Sequence, residues 1–147
     1  MEHTEAGLKY TDLILTVFRL NGQLVLEGDR LAKEDGLTSA KWHVMGALIY
    51  FGEQNITVSR IASKMGLRRQ GVQRIVNELY EMGLVTFEDN PYHKKAKQVV
   101  PTEEGIKRFN SVMQKQIPWA NALGESLDIG ELETALKVIR IISSKLP

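Results

Sequence analysis

The stretch from Thr57 to Gly105, TVSRIASKMGLRRQGVQRIVNELYEMGLVTFEDNPYHKKAKQVVPTEEG, most constrains the fold, because two short helical patterns meet at a glycine and are followed by two β-prone runs. Thr57 is suited to cap the first helix, its hydroxyl accepting a free backbone N–H, and Val58, Ile61, Ala62 and Met65 are spaced as one apolar stripe. Gly66 ends that helix with left-handed backbone, and Leu67 is expected to plug the space between the two helices. From Arg68 to Met82, Val72, Ile75, Val76 and Leu79 keep a second stripe, while Arg68, Arg69, Gln70, Gln73, Arg74 and Asn77 occupy the remaining positions. Gly71 weakens this helix by roughly 1 kcal/mol relative to Ala and permits close backbone approach, unless it is merely a tolerated glycine.

Gly83 closes the second helix. Leu84, Val85, Thr86 and Phe87 form a short β-prone run, answered by Gln98, Val99 and Val100, with EDNPYHKKAK between them. Asp89, Asn90 and Pro91 are turn formers, and Lys94, Lys95 and Lys97 charge the returning arm. Helix, turn, helix and basic hairpin together are the plan of a winged helix-turn-helix. An α-helix fits the major groove, Arg can bridge guanine edges or phosphate, and Gln can read adenine. Arg68, Arg69, Gln70, Gln73 and Arg74 on the helix, with Lys94, Lys95 and Lys97 on the wing, are therefore the candidate contacts to double-stranded DNA. The wing is expected against phosphate or in a minor groove.

With LTSAKWHVMGAL at Leu37 to Leu48, RQGVQRIVNELYEMGLV and the terminal PTEEG, nearly the whole chain resembles the MarR family of transcription regulators. That resemblance implies a mainly α fold with a small β-hairpin wing, the winged helix-turn-helix being flanked by N- and C-terminal dimerisation helices. Residues 1–147 are then one MarR-like domain, with the reader at about 37–101 and the dimerisation helices at 1–34 and 102–147. The family usually carries an Asp and, two residues on, an Arg in the wing. Here His93 and Lys95 stand at the matching positions, which removes the expected ion pair and predicts a weaker minor-groove preference.

Charge distribution agrees with the resemblance better than total charge does. The formal net charge is only +1, yet between Arg60 and Lys97 eight Lys or Arg stand against four Asp or Glu. A block of this size is equally the mark of a solvated surface, so alone it divides evenly between the two readings. The 147 residues, 43% hydrophobic and 25% charged, are ordinary for a soluble globular protein. No apolar run approaches the roughly 20 residues that span a bilayer, and MEHTEAGLKY lacks a basic-then-apolar signal pattern, so a cytoplasmic protein without a membrane partner is expected. The absence of cysteine excludes disulfides, thiolate zinc sites and cysteine redox switching.

The flanks are strongly apolar. Leu8 to about Ala32 carries Leu13, Ile14, Val17, Phe18 and Leu24 at helical spacing, with Gly22 and Gly28 as weak points. Thr38 caps a helix whose Trp42, Met45, Ala47, Leu48 and Ile49 mark it as central core. Thr102 and two glutamates open another, expected to kink or end near Gln116 to Pro118. Asp128 and Glu131 then begin an amphipathic helix bearing Leu132, Leu136 and Ile139. These stripes have few partners within one chain, so a homodimer is expected through Leu13, Val17, Leu132, Leu136 and Ile139, with a monomer folding its termini back as the alternative.

The resemblance further implies a ligand-responsive repressor on a pseudo-palindromic operator, with a small aromatic or anionic effector between the dimer helices and the reader. Phe18, Trp42, His43 and Met113 lie on segments that border such a crevice, although Trp42 and Met113 have the spacing of packing residues. His3, His43 and His93 lack metal-site spacing, and no GxSxG, Walker or dinucleotide fingerprint occurs, so neither a metal, a cofactor nor an enzyme is expected. The competing reading is a winged-helix protein-interaction module without specific DNA binding.

Overall fold

Two glycines do not interrupt the N-terminal helix. In the computed structural model, which describes residues 1–51 and 56–147, helix α1 (Glu5–Ala32) runs through both Gly22 and Gly28. It starts earlier than Leu8 because Thr4 Oγ1 accepts from the Gly7 N–H at 3.0 Å, a cap that the apolar pattern alone does not reveal. Gly28 is required by a close approach: a Cβ there would stand 2.9 Å from the Ser39 Cβ. The same junction is tied by Asp29, whose Oδ1 accepts from the Ser39 N–H at 2.7 Å. A 3-10 turn, Lys33–Asp35, follows and ends at Gly36 in the left-handed region.

The chain forms two compact units, Met1–Val112 and Met113–Pro147. In the first, helix α2 (Ser39–Tyr50) is capped by Thr38, which accepts from the Lys41 N–H at 3.2 Å. It is the central helix that its sequence predicts, burying Trp42, Val44, Met45, Ala47 and Leu48. Helix α3 (Val58–Met65) begins at Thr57, whose hydroxyl accepts from the Arg60 N–H at 3.3 Å. It ends at Gly66 with φ +65°, where Gly66 N–H bonds Ser63 O at 3.4 Å and Leu67 N–H bonds Ala62 O at 2.9 Å. Those paired bonds leave Leu67 outside, 49% exposed, so it is not the expected interhelical plug; Ile61 and Val72 are fully buried in the core instead.

Helix α4 (Arg69–Glu81) buries Val72, Val76 and Leu79 completely. Gly83, at φ +74°, then turns the chain into the hairpin of β1 (Val85–Asn90) and β2 (His93–Pro101), which pair antiparallel. Both arms reach further than the β-prone runs suggest. Asn90 Oδ1 accepts from the Tyr92 N–H at 3.0 Å, tightening the turn so that the charged residues after it are held in strand rather than in a loop.

Helix α5 (Glu103–Gly124) starts against the base of that hairpin. Thr102 Oγ1 accepts from the Gly105 N–H at 3.1 Å and donates to Gly83 O at 2.8 Å, while its N–H donates to Leu84 O at 3.0 Å. Gly105 has no room for a side chain, since a Cβ would run into the Leu84 carbonyl and lie 2.9 Å from Met45 Cε. Gly105→Ala is therefore expected to cost about 1–3 kcal/mol, read as a lower urea midpoint at unchanged m-value. A midpoint equal to that of the parent chain would mean that the junction yields freely. Phe109 and Val112, further along α5, complete the core.

Pro118 lies inside α5 rather than at its end. Proline forfeits one intrahelical bond but keeps a helical φ, and the helix continues to Gly124, beyond the expected stop. In the second unit, helix α6 (Ile129–Lys145) begins at Asp128, whose Oδ2 accepts from the Glu131 N–H at 3.0 Å. None of its 17 residues is buried. Among the described residues no helix is long and apolar enough to cross a membrane.

Candidate nucleic-acid interface

The start of α4 is built against its own helix preferences. Arg68 occupies the N-cap with no side-chain hydrogen bond, Arg69 is the first helical residue, and the first turn has no carboxylate. Helix N-termini favour Ser, Thr, Asp or Asn caps and acidic neighbours; each cation placed there opposes the helix dipole by about 0.3–1 kcal/mol. A sequence that gives up local stability in this way marks a surface selected for contact with something outside the chain.

Further along α4 the two faces separate cleanly. Val72, Val76 and Leu79 lie in the core, while Arg68, Arg69, Gln70 and Arg74 are exposed on the surface. Gln73 is half-buried, and its Nε2 donates to Asn77 Oδ1 at 2.9 Å, one helical turn on. Asn77 was legible as a polar position but not as the residue that orients Gln73. Among the described residues Arg68, Arg69 and Arg74 have no ion-pair partner, so their guanidinium groups are available.

The wing is held to the front of α3. Val99 N–H donates to Ile56 O at 2.8 Å and Thr57 forms a bridge with Gln98, so β2 is hydrogen-bonded to the residues that begin α3. Between α3, α4 and β2 lies a cleft of about 310 Å³. It is lined by Thr57, Val58 and Ser59 from the start of α3, Arg69 and Gln73 from α4, and Phe87, Lys95, Ala96 and Lys97 from the wing. Lys94 is exposed but does not line it. Thr57, Ser59, Phe87 and Ala96 were not expected at a site; the pairing of β2 with Ile56 and Thr57 holds the wing beside the start of α3. A second cleft, lined by Glu34, Asp35, Gly36, Glu104, Lys107, Arg108 and Ser111, mixes both signs of charge, and Arg108 Nε pairs with Glu104 at 3.1 Å.

The other candidate residues are distributed differently. Val17, Leu136 and Ile139 are exposed and Leu13 and Leu132 half-buried. Of the candidate effector residues, Trp42 is core and Phe18 is exposed, whereas Met113 is half-buried. His43 is partly exposed; its ring lies 5.2 Å from that of Trp42, and desolvation holds its pKa below the ordinary imidazole value. Neither cleft is lined by any of these four.

A family profile described as "MarR family" matches residues 35–96. The uncharacterized protein Rv2011c of Mycobacterium tuberculosis is 30% identical over 128 residues, 87% of each chain. The chain belongs to the MarR family. Its fold is that of the winged-helix MarR transcription regulators, a family of regulators rather than enzymes. CouR from Rhodococcus jostii, solved bound to p-coumaroyl-CoA, superposes with TM-score 0.79 at 19% identity, covering 92% of this chain and 94% of CouR. MepR from S. aureus, solved as a DNA complex, gives TM-score 0.78 at 18% identity, covering 88% and 94%. Within this MarR chain, the matched span holds all five candidate residues of α4 together with His93, Lys94 and Lys95.

Proposed function

We propose that this MarR-family chain is a homodimeric, sequence-specific DNA-binding transcription regulator, acting as a repressor that a small aromatic or anionic effector releases. The observation that carries the reading is the start of α4, where Arg68 and Arg69 displace the caps that the helix itself would favour, followed by exposed Gln70 and Arg74. Residues of this type on a helix backed by a rigid core are suited to base edges and phosphates in a major groove. MepR, of the same fold, was solved with DNA and CouR with an acyl-CoA, which supports DNA and an effector as the partners here.

Self-association follows from uncovered apolar surface. Phe18 and Leu26 on α1 are 69% and 70% exposed, and Leu136 and Ile139 on α6 are 50% and 46% exposed. Apolar stripes of this kind are stable in water when a second copy covers them. A two-fold dimer sets two copies of α4 on one side of the duplex, which calls for a pseudo-palindromic site with half-sites about 34 Å apart. An effector releases such a dimer only if it binds the released geometry more tightly than the DNA-bound one.

The test is selection of bound duplexes from a random pool, followed by anisotropy titration of the selected duplex. An inverted repeat with half-sites one turn apart is the expected product. Enrichment of no sequence, with only weak salt-sensitive binding, would instead favour a protein-interaction module or a reader locked off by a missing ligand.

A further inference from the structure

The two arms of the wing advance unequally. Glu88 pairs with Gln98 and Asn90 with His93, so two steps along β1 face five along β2, and the surplus lies in Lys94–Lys97. A bulge of this kind bends its strand and re-aims side chains, and bulges gather beside functional sites. In the same stretch three consecutive residues, Lys95, Ala96 and Lys97, line one cleft. Arg69 of α4 lines the same cleft. Among the described residues the lining therefore holds three cations and no carboxylate, with Thr57 and Ser59 beside them. None of the three cations has an ion-pair partner among the described residues.

We propose that this cleft is an oxyanion seat, which in the DNA complex takes a single backbone phosphodiester through Arg69, Lys95 and Lys97. The assignment rests on the DNA-binding reading above and makes the wing a clamp on one strand rather than a reader of the minor groove. Three like charges converging on one concave surface raise the local potential and favour an anion between them. Guanidinium and ammonium groups both form short charge-assisted bonds to phosphate oxygens. Lys94, on the same strand but outside the cleft, measures what a wing cation contributes by general attraction alone. A free phosphate ester has the same chemistry, and the experiment separates the two sources.

Arg69→Gln, Lys95→Gln, Lys97→Gln and Lys94→Gln are compared on the selected duplex across a salt series, with circular dichroism confirming that each folds. Losing one phosphate contact in each half-site of the dimer lowers the slope of log K against log salt by about 1.8, or about twelvefold in relative affinity between 50 and 200 mM salt. Arg69→Gln, Lys95→Gln and Lys97→Gln are each expected to lose up to that much, with no further loss when they are combined because they share one phosphate, and Lys94→Gln to lose less than any of them. Equal losses in all four would mean diffuse attraction and overturn the seat. An uncharged methylphosphonate is then stepped along each strand. Placed at the same position of both half-sites, it should weaken the parent chain and abolish the effect of all three substitutions together; dependence on three different phosphates per half-site would overturn the proposal. If the parent chain binds no duplex, the function proposed above fails. The seat is then judged by titrating inorganic phosphate and following the amide resonances of Thr57, Ser59 and Ala96. Shifts lost in the Lys95→Gln/Lys97→Gln chain support a seat for free phosphate esters, and no shifts overturn it.

Discussion

Leu136→Asp, and equally Ile139→Asp, is expected to convert the protein into a folded monomer. Both side chains are half exposed on α6, a helix none of whose residues is fully buried. Placing an unpaired carboxylate in the apolar seam of a two-fold dimer costs about 3 kcal/mol or more, and the symmetry applies it twice. At about 1.4 kcal/mol per tenfold, self-association weakens by about four orders of magnitude. In water the carboxylate is well solvated, so the monomer should keep its helical circular dichroism. Sedimentation velocity reads the outcome directly. A dimer persisting at micromolar concentration would place α6 outside the interface and leave its apolar surface to another partner.

Arg74→Ala is expected to weaken binding to the selected duplex by about 1–3 kcal/mol per half-site while leaving thermal stability within about 0.5 kcal/mol of the parent. The two expectations differ because Arg74 is exposed on α4 and has no ion-pair partner among the described residues, so its removal opens no cavity and strands no buried charge. Contact with a base edge would relax specificity at one position of each half-site, whereas contact with phosphate would weaken all sequences alike and lower the salt slope. Anisotropy on the selected duplex and on single-base variants distinguishes these. Affinity unchanged in a folded variant would remove Arg74 from the contact surface.

What was legible in the sequence was local. Thr38, Thr57 and Asp128 act as caps because a short oxygen-bearing side chain reaches an N–H three residues on, and this needs no knowledge of the rest of the chain. Gly66 ends α3 for an equally local reason. Leu67 went otherwise because its direction depends on the bonds closing α3, and of the kink or end expected at Pro118 the helix does not end there, because a single missing donor does not oblige it to stop. For the candidate interface, the residue types on α4 followed from the apolar stripe opposite them. The grouping of Lys95 and Lys97 with Arg69, to the exclusion of Lys94, did not. It depends on a β2 bulge and on a hydrogen bond between Val99 and Ile56, 43 positions apart, which no periodicity encodes.

That bond, 2.8 Å from Val99 N to Ile56 O, has a consequence for the thermodynamics of recognition. A wing joined to the reader only through its two ends would sample many angles, and each encounter would sacrifice that freedom. Here the walls of the cleft are braced before any partner arrives, so most of the ordering has taken place during folding. The gap between helix and hairpin then acts as a fixed gauge. Substitutions at Lys95, Lys97 or Arg69 can retune what the gauge accepts without rebuilding it, and the Val99–Ile56 brace is the contact whose loss would make the fit adjustable.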